Sequence, residues 1–241
     1  MYKKILLGII ICITLVMFTG CNNNDKKEIK KENKVTDSVK FKKEYEELNN
    51  KDLGYGELRE ITIDEDNPFV YKSAEDIVKL IEDKETFVVY FGFNSCPWCR
   101  SVIETLIKVS KDNNIDTIYY VDVKDIRDVM VLDGDEAITD KEGSKGYYKL
   151  IEYFDNVLDD YTLNNEDGDI IKTGEKRIYA PNVIVVKNGK AKALVTGISE
   201  KQTKPNMELT DEMKEDTYNQ FDELFEHIKE DSKVCTKNSK C

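Results

Sequence analysis

The amino-acid sequence predicts an α/β protein, a mixed central sheet flanked by helices, and three observations carry that reading. Thr86 to Phe91 is a continuous β-branched and aromatic run, the pattern of a strand buried on both faces, and Ile115 to Val123 reads as another buried strand. Helical stripes alternate with them: Ala74, Ile77, Val78 and Ile81 before the first run, and Val102, Ile103, Leu106 and Ile107 between the two. Asn182 to Val186 and Lys190 to Val195 flank Asn188-Gly189, a two-residue hairpin signal, so the last strands are antiparallel.

The other elements follow from the same periodicities. Phe41, Tyr45 and Leu48 form a weak helical stripe within Ser38 to Leu48, which predicts an N-terminal helix packing on the domain. Ile61 to Ile63 and Phe69 to Tyr71 are short strand candidates, and Ser73-Ala74-Glu75-Asp76 resembles a capping box opening the next helix. Lys145 to Asp160 carries Tyr147, Leu150, Ile151, Phe154, Val157 and Leu158 at helical spacing. A last helix runs from about Asp211 to Glu230, with Phe221, Leu224, Phe225 and Ile228 on its core face. Leu132 to Gly146 and Thr162 to Arg177 read as loops. Their acidic runs, Asp133-Gly134-Asp135-Glu136 and Asn165-Glu166-Asp167-Gly168-Asp169, lack the alternating ligands and bidentate Glu of a calcium loop and read as solvated turns.

Composition removes several function classes. The net charge is 36 − 48 = −12, so the chain has no electrostatic footprint for nucleic acid, and the acidity reads as solubility. The single histidine, His227, leaves no histidine triad or multi-histidine metal site. Six cysteines remain as candidates for chemistry.

The N-terminus reads as an address. Lys3 and Lys4 precede an apolar run from Ile5 to Phe18, shorter than the ~20 residues a spanning helix needs. It ends in Phe18-Thr19-Gly20-Cys21, which resembles the bacterial lipobox with Phe18 where Leu is usual. That resemblance implies that residues 1–20 are a lipoprotein signal peptide and Cys21 the lipidated first residue, anchoring the protein to the outer face of the cytoplasmic membrane. An uncleaved N-terminal anchor is the competing reading, and both put the remaining chain outside the cytoplasm. Cys12 lies within the leader and needs no function. Polar, Lys- and Glu-rich sequence then reads as a tether over residues 21–55, carrying the short helix.

Cys96 and Cys99 are three apart at a strand-to-helix junction. There the free N–H groups and dipole of the helix favour a thiolate at Cys96, and Cys99, one turn in, is close enough to attack a mixed disulfide on it. Pro97 suits the first helical turn, having no N–H to lose. Arg100 is expected to keep positive charge near the pair. The spacing alone also serves as half of a zinc site.

The order of elements, the Cys96-Pro97-Trp98-Cys99 motif and the segment Ile178-Tyr179-Ala180-Pro181-Asn182 before the hairpin together resemble the thioredoxin superfamily over roughly Ile61 to Glu230. The Cys-Pro-Trp-Cys-Arg and Ile-Tyr-Ala-Pro segments are also similar to thioredoxin-like proteins of the bacteriocin-transport accessory type. The resemblance implies a thioredoxin fold at residues 56–231, with an extended insertion at about 124–177 before the cis-proline strand, and a cysteine-containing tail at 232–241. It implies a protein thiol–disulfide oxidoreductase with Cys96 as nucleophile and Cys99 as resolving thiol. Pro97, Trp98, Ala180 and Pro181 would contact the substrate, Pro181 as a cis-proline lying against the pair and Ala180 through its backbone. No metal or cofactor is expected beyond the redox-active Cys96–Cys99 disulfide. The expected partners are protein or peptide thiols and disulfides, with a membrane electron donor or acceptor of unknown identity.

Two departures and one tail complete the reading. Where many thioredoxins have a buried aspartate, six residues before the first motif cysteine, this chain has Tyr90, read as a core strand residue; Glu104 reads as a solvated one. Pro97-Trp98 is similar to glutaredoxin-type Pro-aromatic pairs, implying a potential between the ~−270 mV of thioredoxin and the ~−120 mV of a strong oxidase. Cys235 and Cys241 are expected to close a small local disulfide, with unpaired thiols or an electron relay to Cys96 as alternatives. A redox-independent binding module for secreted peptides and a zinc site of Cys96, Cys99, Cys235 and Cys241 are the rival functions.

Overall fold

The computed structural model describes residues 36–234. A helix at residues 36–46 (α1) is followed by β1 (Phe69–Tyr71), α2 (Ala74–Glu82), β2 (Phe87–Gly92) and α3 (Pro97–Asp112). Next come β3 (Ile118–Asp122), β4 (Val129–Asp133), β5 (Glu136–Lys141) and α4 (Lys145–Phe154). The chain continues through β6 (Asp160–Asn164), β7 (Ile170–Lys176), β8 (Asn182–Lys187), β9 (Lys190–Val195) and α5 (Asp211–Val234).

Local chemistry explains the starts and turns. Ser73 caps α2 by accepting the Asp76 N–H, and Asp76 reciprocates by accepting the Ser73 N–H, both at 3.1 Å. Asn188 and Gly189 take φ of 52° and 70°, the left-handed pair that a two-residue turn between β8 and β9 demands. β2 is buried at every position, as its unbroken apolar run requires.

One five-stranded mixed sheet, ordered β1-β3-β2-β8-β9, forms the middle layer. β1, β3 and β2 run parallel, and β8 and β9 are antiparallel to their neighbours. The period-two alternation of β2 divides the core. Val88 and Tyr90 face a layer containing α1, α3 and α5, whereas Phe87, Val89 and Phe91 face α2 and α4. At ~25 cal/mol per Å² of apolar burial, these two faces supply most of the drive for folding.

Four sequence expectations change. Among the described residues the core extends before the expected start at 56: the N-terminal helix packs on the domain as expected, and Phe41 and Tyr45 of α1 are fully buried in the first core layer. Ile61 to Ile63 is not a strand, although Ile61 and Ile63 are buried. Its backbone is satisfied by side chains instead: Asn49 exchanges two hydrogen bonds with Ile61, and Glu46 accepts the Ile63 N–H at 2.8 Å. The two expected loops contain hairpins, β4–β5 and β6–β7, each a separate two-stranded sheet. Strands β5 and β7 are too polar to show a buried alternation, whereas β4 is an apolar run, Val129 to Leu132, that pairs with β5 at the start of the expected loop. Finally, α4 ends at Phe154, and Leu158 reaches the core through a turn. Among the described residues no helix is long and apolar enough to cross a membrane.

Candidate active site

β2 ends at Gly92, and the chain turns through Asn94 and Ser95 into α3, with Cys96 as its N-cap and Pro97 in its first turn. The Cys99 N–H donates to Cys96 Sγ at 3.2 Å, and the Cys96 thiol donates to the Ala180 carbonyl at 3.4 Å. Both thiols are free. Cys96 opens onto a cleft, while Cys99 is completely buried.

This placement splits the two thiols electrostatically. A hydrogen bond from the Cys99 thiol lowers the pKa of Cys96, aided by the backbone N–H groups of Cys99 and Trp98 and by the Arg127 guanidinium; burial opposes them. Burial first, then the hydrogen bond and charge of Cys96, push Cys99 well upward. The first thiolate of the pair therefore forms on Cys96. A pair so arranged can attack a disulfide sulfur from the cleft with Cys96 and displace the product from within with Cys99.

The cation near Cys96 is a correction. Arg100 turns away from the pair and is 1 % exposed. Its guanidinium donates to the carbonyls of Tyr45 (2.8 Å), Arg59 (2.6 and 2.9 Å) and Asn94 (3.3 Å), and to Asn49 Oδ1. Side-chain length and the buried carbonyls of the N-terminal segment decide this: Arg100 ties that segment to α3. Arg127, in the turn after β3, supplies the charge that acts on Cys96.

Tyr90 is the buried strand residue expected, and it does more than fill space. Its hydroxyl lies 3.3 Å from that of Tyr45, and it and the Cys99 thiol act on each other electrostatically, Cys99 raising the pKa of Tyr90 and Tyr90 lowering that of Cys99. A Cβ on Gly92 would stand 2.3 Å from the Tyr90 hydroxyl, so glycine is what lets the ring lie back along β2 toward α3. Glu104 accepts the Thr62 N–H at 2.9 Å from an exposed position, away from this hydrogen-bonded group.

The cleft beside Cys96 has a volume of about 640 Å³. Four of the six expected residues of the site line it: Cys96, Pro97, Trp98 and Ala180. Cys99 lies beneath it, and Pro181, whose bond to Ala180 is cis, is buried just before β8. Cys21, Cys235 and Cys241 lie outside the described residues. The sequence reading missed the other walls. Tyr55, inside the expected tether, sits in a tight turn and donates its hydroxyl to the Ser95 carbonyl at 2.7 Å. Lys124 and Arg127 come from the turn after β3, and Tyr161, Arg177 and Tyr179 from the β6–β7 hairpin and the segment behind it. Only Tyr179 carried a signal, its position two residues before Pro181. The acidic turns of the two hairpins lie side by side, and among the described residues no three metal-binding side chains converge.

Comparison of the chain with models of known protein families, with curated proteins and with solved structures gives no match.

Proposed function

We propose that this protein is a thioredoxin-type thiol–disulfide oxidoreductase acting on polypeptide disulfides outside the cytoplasm, held at the membrane surface through Cys21. The observation that carries the reading is the asymmetry of one cysteine pair: a pKa-lowered thiol at the N-cap of α3 opening onto a cleft, and a buried, pKa-raised thiol one turn behind it. The strand order β1-β3-β2-β8-β9, with helices on both faces and Ala180 against Cys96, agrees with the thioredoxin arrangement that the motifs suggest.

The reaction runs in two displacements. Cys96 thiolate attacks one sulfur of the substrate disulfide, forming a Cys96–substrate bond and releasing the other sulfur as a thiolate that takes a proton from water. Cys99, losing its own proton, then attacks Cys96 Sγ and releases the second substrate thiolate. Two electrons pass from the dithiol to the substrate, leaving a Cys96–Cys99 disulfide that an external dithiol donor at the membrane must reduce. Run backwards, the same steps oxidise a substrate dithiol; the reductive or isomerising direction is the one we favour.

Trapping tests this directly. Cys99→Ser, which keeps a hydroxyl donor but removes the resolving sulfur, should accumulate mixed disulfides with extracytoplasmic proteins, and Cys96→Ser should accumulate none. Equal trapping by both variants, or by neither, defeats the assignment. A peptide-binding module without essential redox chemistry would keep its function in Cys96→Ser.

A further inference from the structure

We propose that the cleft beside Cys96 recognises acidic polypeptide segments, so that substrate disulfides flanked by Asp or Glu are preferred. The proposal takes the oxidoreductase reading for its chemistry but rests on a separate observation, the charge of the cleft. The chain carries 48 acidic residues and a net charge of −12, yet none of the twelve residues lining this cleft is acidic and three are cationic.

The three cations are not equivalent. Arg177 is buried, 3.4 Å from Asp128 and stacked 3.8 Å over Tyr161, so its charge is compensated and it serves as wall. Lys124 reaches the Ser95 hydroxyl at 3.3 Å, and Arg127 lies 5.2 Å over the Phe93 ring. Neither forms an ion pair among the described residues. The charge of Lys124 is shared with the nearby Asp122 carboxylate, whereas no carboxylate acts on Arg127, so the freer of the two cations flanking the sulfur that would attack is Arg127.

A substrate carboxylate can pair with them in a partly desolvated site, where a charge-assisted hydrogen bond outweighs its counterpart in water. The acidic bulk of the chain does not cancel this, because charges beyond ~8–10 Å are screened at physiological salt. Aromatic rings on Tyr55, Trp98 and Tyr179 give the stems of neighbouring residues apolar surface. A cleft of about 640 Å³ takes a few residues of extended chain rather than a single carboxylate. Asp or Glu on either side of a cysteine meets all of these requirements, and Lys or Arg there meets two like charges.

Trp98 is the sole tryptophan of the chain and lines the cleft, so intrinsic fluorescence reports occupancy without any redox step. The full chain is titrated with two redox-inert peptides, Gly-Glu-Glu-Ser-Glu-Glu-Gly and Gly-Lys-Lys-Ser-Lys-Lys-Gly, with blocked termini. The acidic peptide should bind at least about tenfold more tightly at low salt, with the gap narrowing as salt rises. Lys124→Gln and Arg127→Gln should each shrink the ratio, and Arg127→Glu should reverse it. Equal affinities, tighter binding of the basic peptide, or a ratio indifferent to Arg127→Glu overturns the proposal. The same peptides with Ser replaced by Cys, oxidised to disulfide dimers, then separate the two readings. Selective binding without reduction of the acidic dimer sustains the cleft and rejects the oxidoreductase, whereas reduction of both dimers without selective binding does the converse.

Discussion

The hydroxyl groups of Tyr45 and Tyr90 lie 3.3 Å apart in a fully buried site, and Tyr90 favours the thiolate form of the buried Cys99. Burial first, then the charge of Cys99, hold Tyr90 well above the ordinary tyrosine range, so it stays an O–H donor at any working pH. A buried thiolate on Cys99 needs such a donor, since Arg100, the nearest buried cation in sequence, is committed to main-chain carbonyls.

Tyr90→Phe should therefore leave the first displacement intact and slow the second. Cys96 alkylation should be unchanged, while the mixed disulfide with a peptide substrate should persist about tenfold longer, consistent with the loss of one hydrogen bond to a charged group. Stopped-flow resolution of the trapped intermediate measures this. Gly92→Ala, which puts a Cβ where the Tyr90 hydroxyl lies, should give the same kinetic defect. Normal resolution in both variants would reduce Tyr90 to a packing residue.

The two thiols should titrate in opposite directions. Cys96 has a folded pKa below that of an unfolded thiol, ~8.5, so its thiolate stabilises the reduced fold above that pH, and this contribution is lost as pH falls through the folded value. Cys99 behaves inversely, its contribution being present below ~8.5 and lost as pH rises toward its raised value. Iodoacetamide should label Cys96 with a midpoint below ~8.5 and leave native Cys99 unlabelled. Because the Cys99 thiol is the largest cause of the shift, Cys99→Ala should move that midpoint up more than Cys99→Ser does.

A stabilised Cys96 thiolate also stabilises the reduced protein, which raises the potential. Equilibration with glutathione buffers should give a value between ~−270 and ~−120 mV, and Arg127→Gln should lower it by removing a favourable charge. A value at or below ~−270 mV would contradict the thiolate argument.

Arg100 should matter for stability rather than for reactivity. Arg100→Met removes five hydrogen bonds and leaves the carbonyls of Tyr45 and Arg59 short of a donor in a buried seam. A loss of about 3 kcal/mol or more is expected in urea unfolding. The Cys96 alkylation midpoint of the variant that remains folded should stay in place, because Arg127 supplies the charge that acts on Cys96.

The proposed lipid anchor rests on the Lys3-Lys4 charge, the short apolar run and the Phe-Thr-Gly-Cys end, and it requires that Cys21→Ala release the protein from membranes or block its processing. Fractionation and intact mass check the outcome, and unchanged retention with unchanged mass would exclude the anchor.

The elements legible in the sequence were those whose causes are local. The capping box at Ser73, the Asn188-Gly189 turn, the unbroken run of β2 and the position of Cys96 at a strand-to-helix junction each depend on residues within a few positions of one another. Such signals survive without the rest of the chain, and they determined the α/β class, the order of most elements and the cysteine pair. The tertiary structure alone decided what surrounds that pair. Tyr55, Lys124, Arg127 and Tyr161 reach one cleft from segments up to about a hundred residues apart, and no periodicity links them. Arg100 adjoins Cys99 in sequence, yet its side chain is drawn to carbonyls 41 and 55 residues away. Hydrogen-bond satisfaction in a buried seam is a property of the assembled fold, so only the fold could reveal which arginine the reactive sulfur meets.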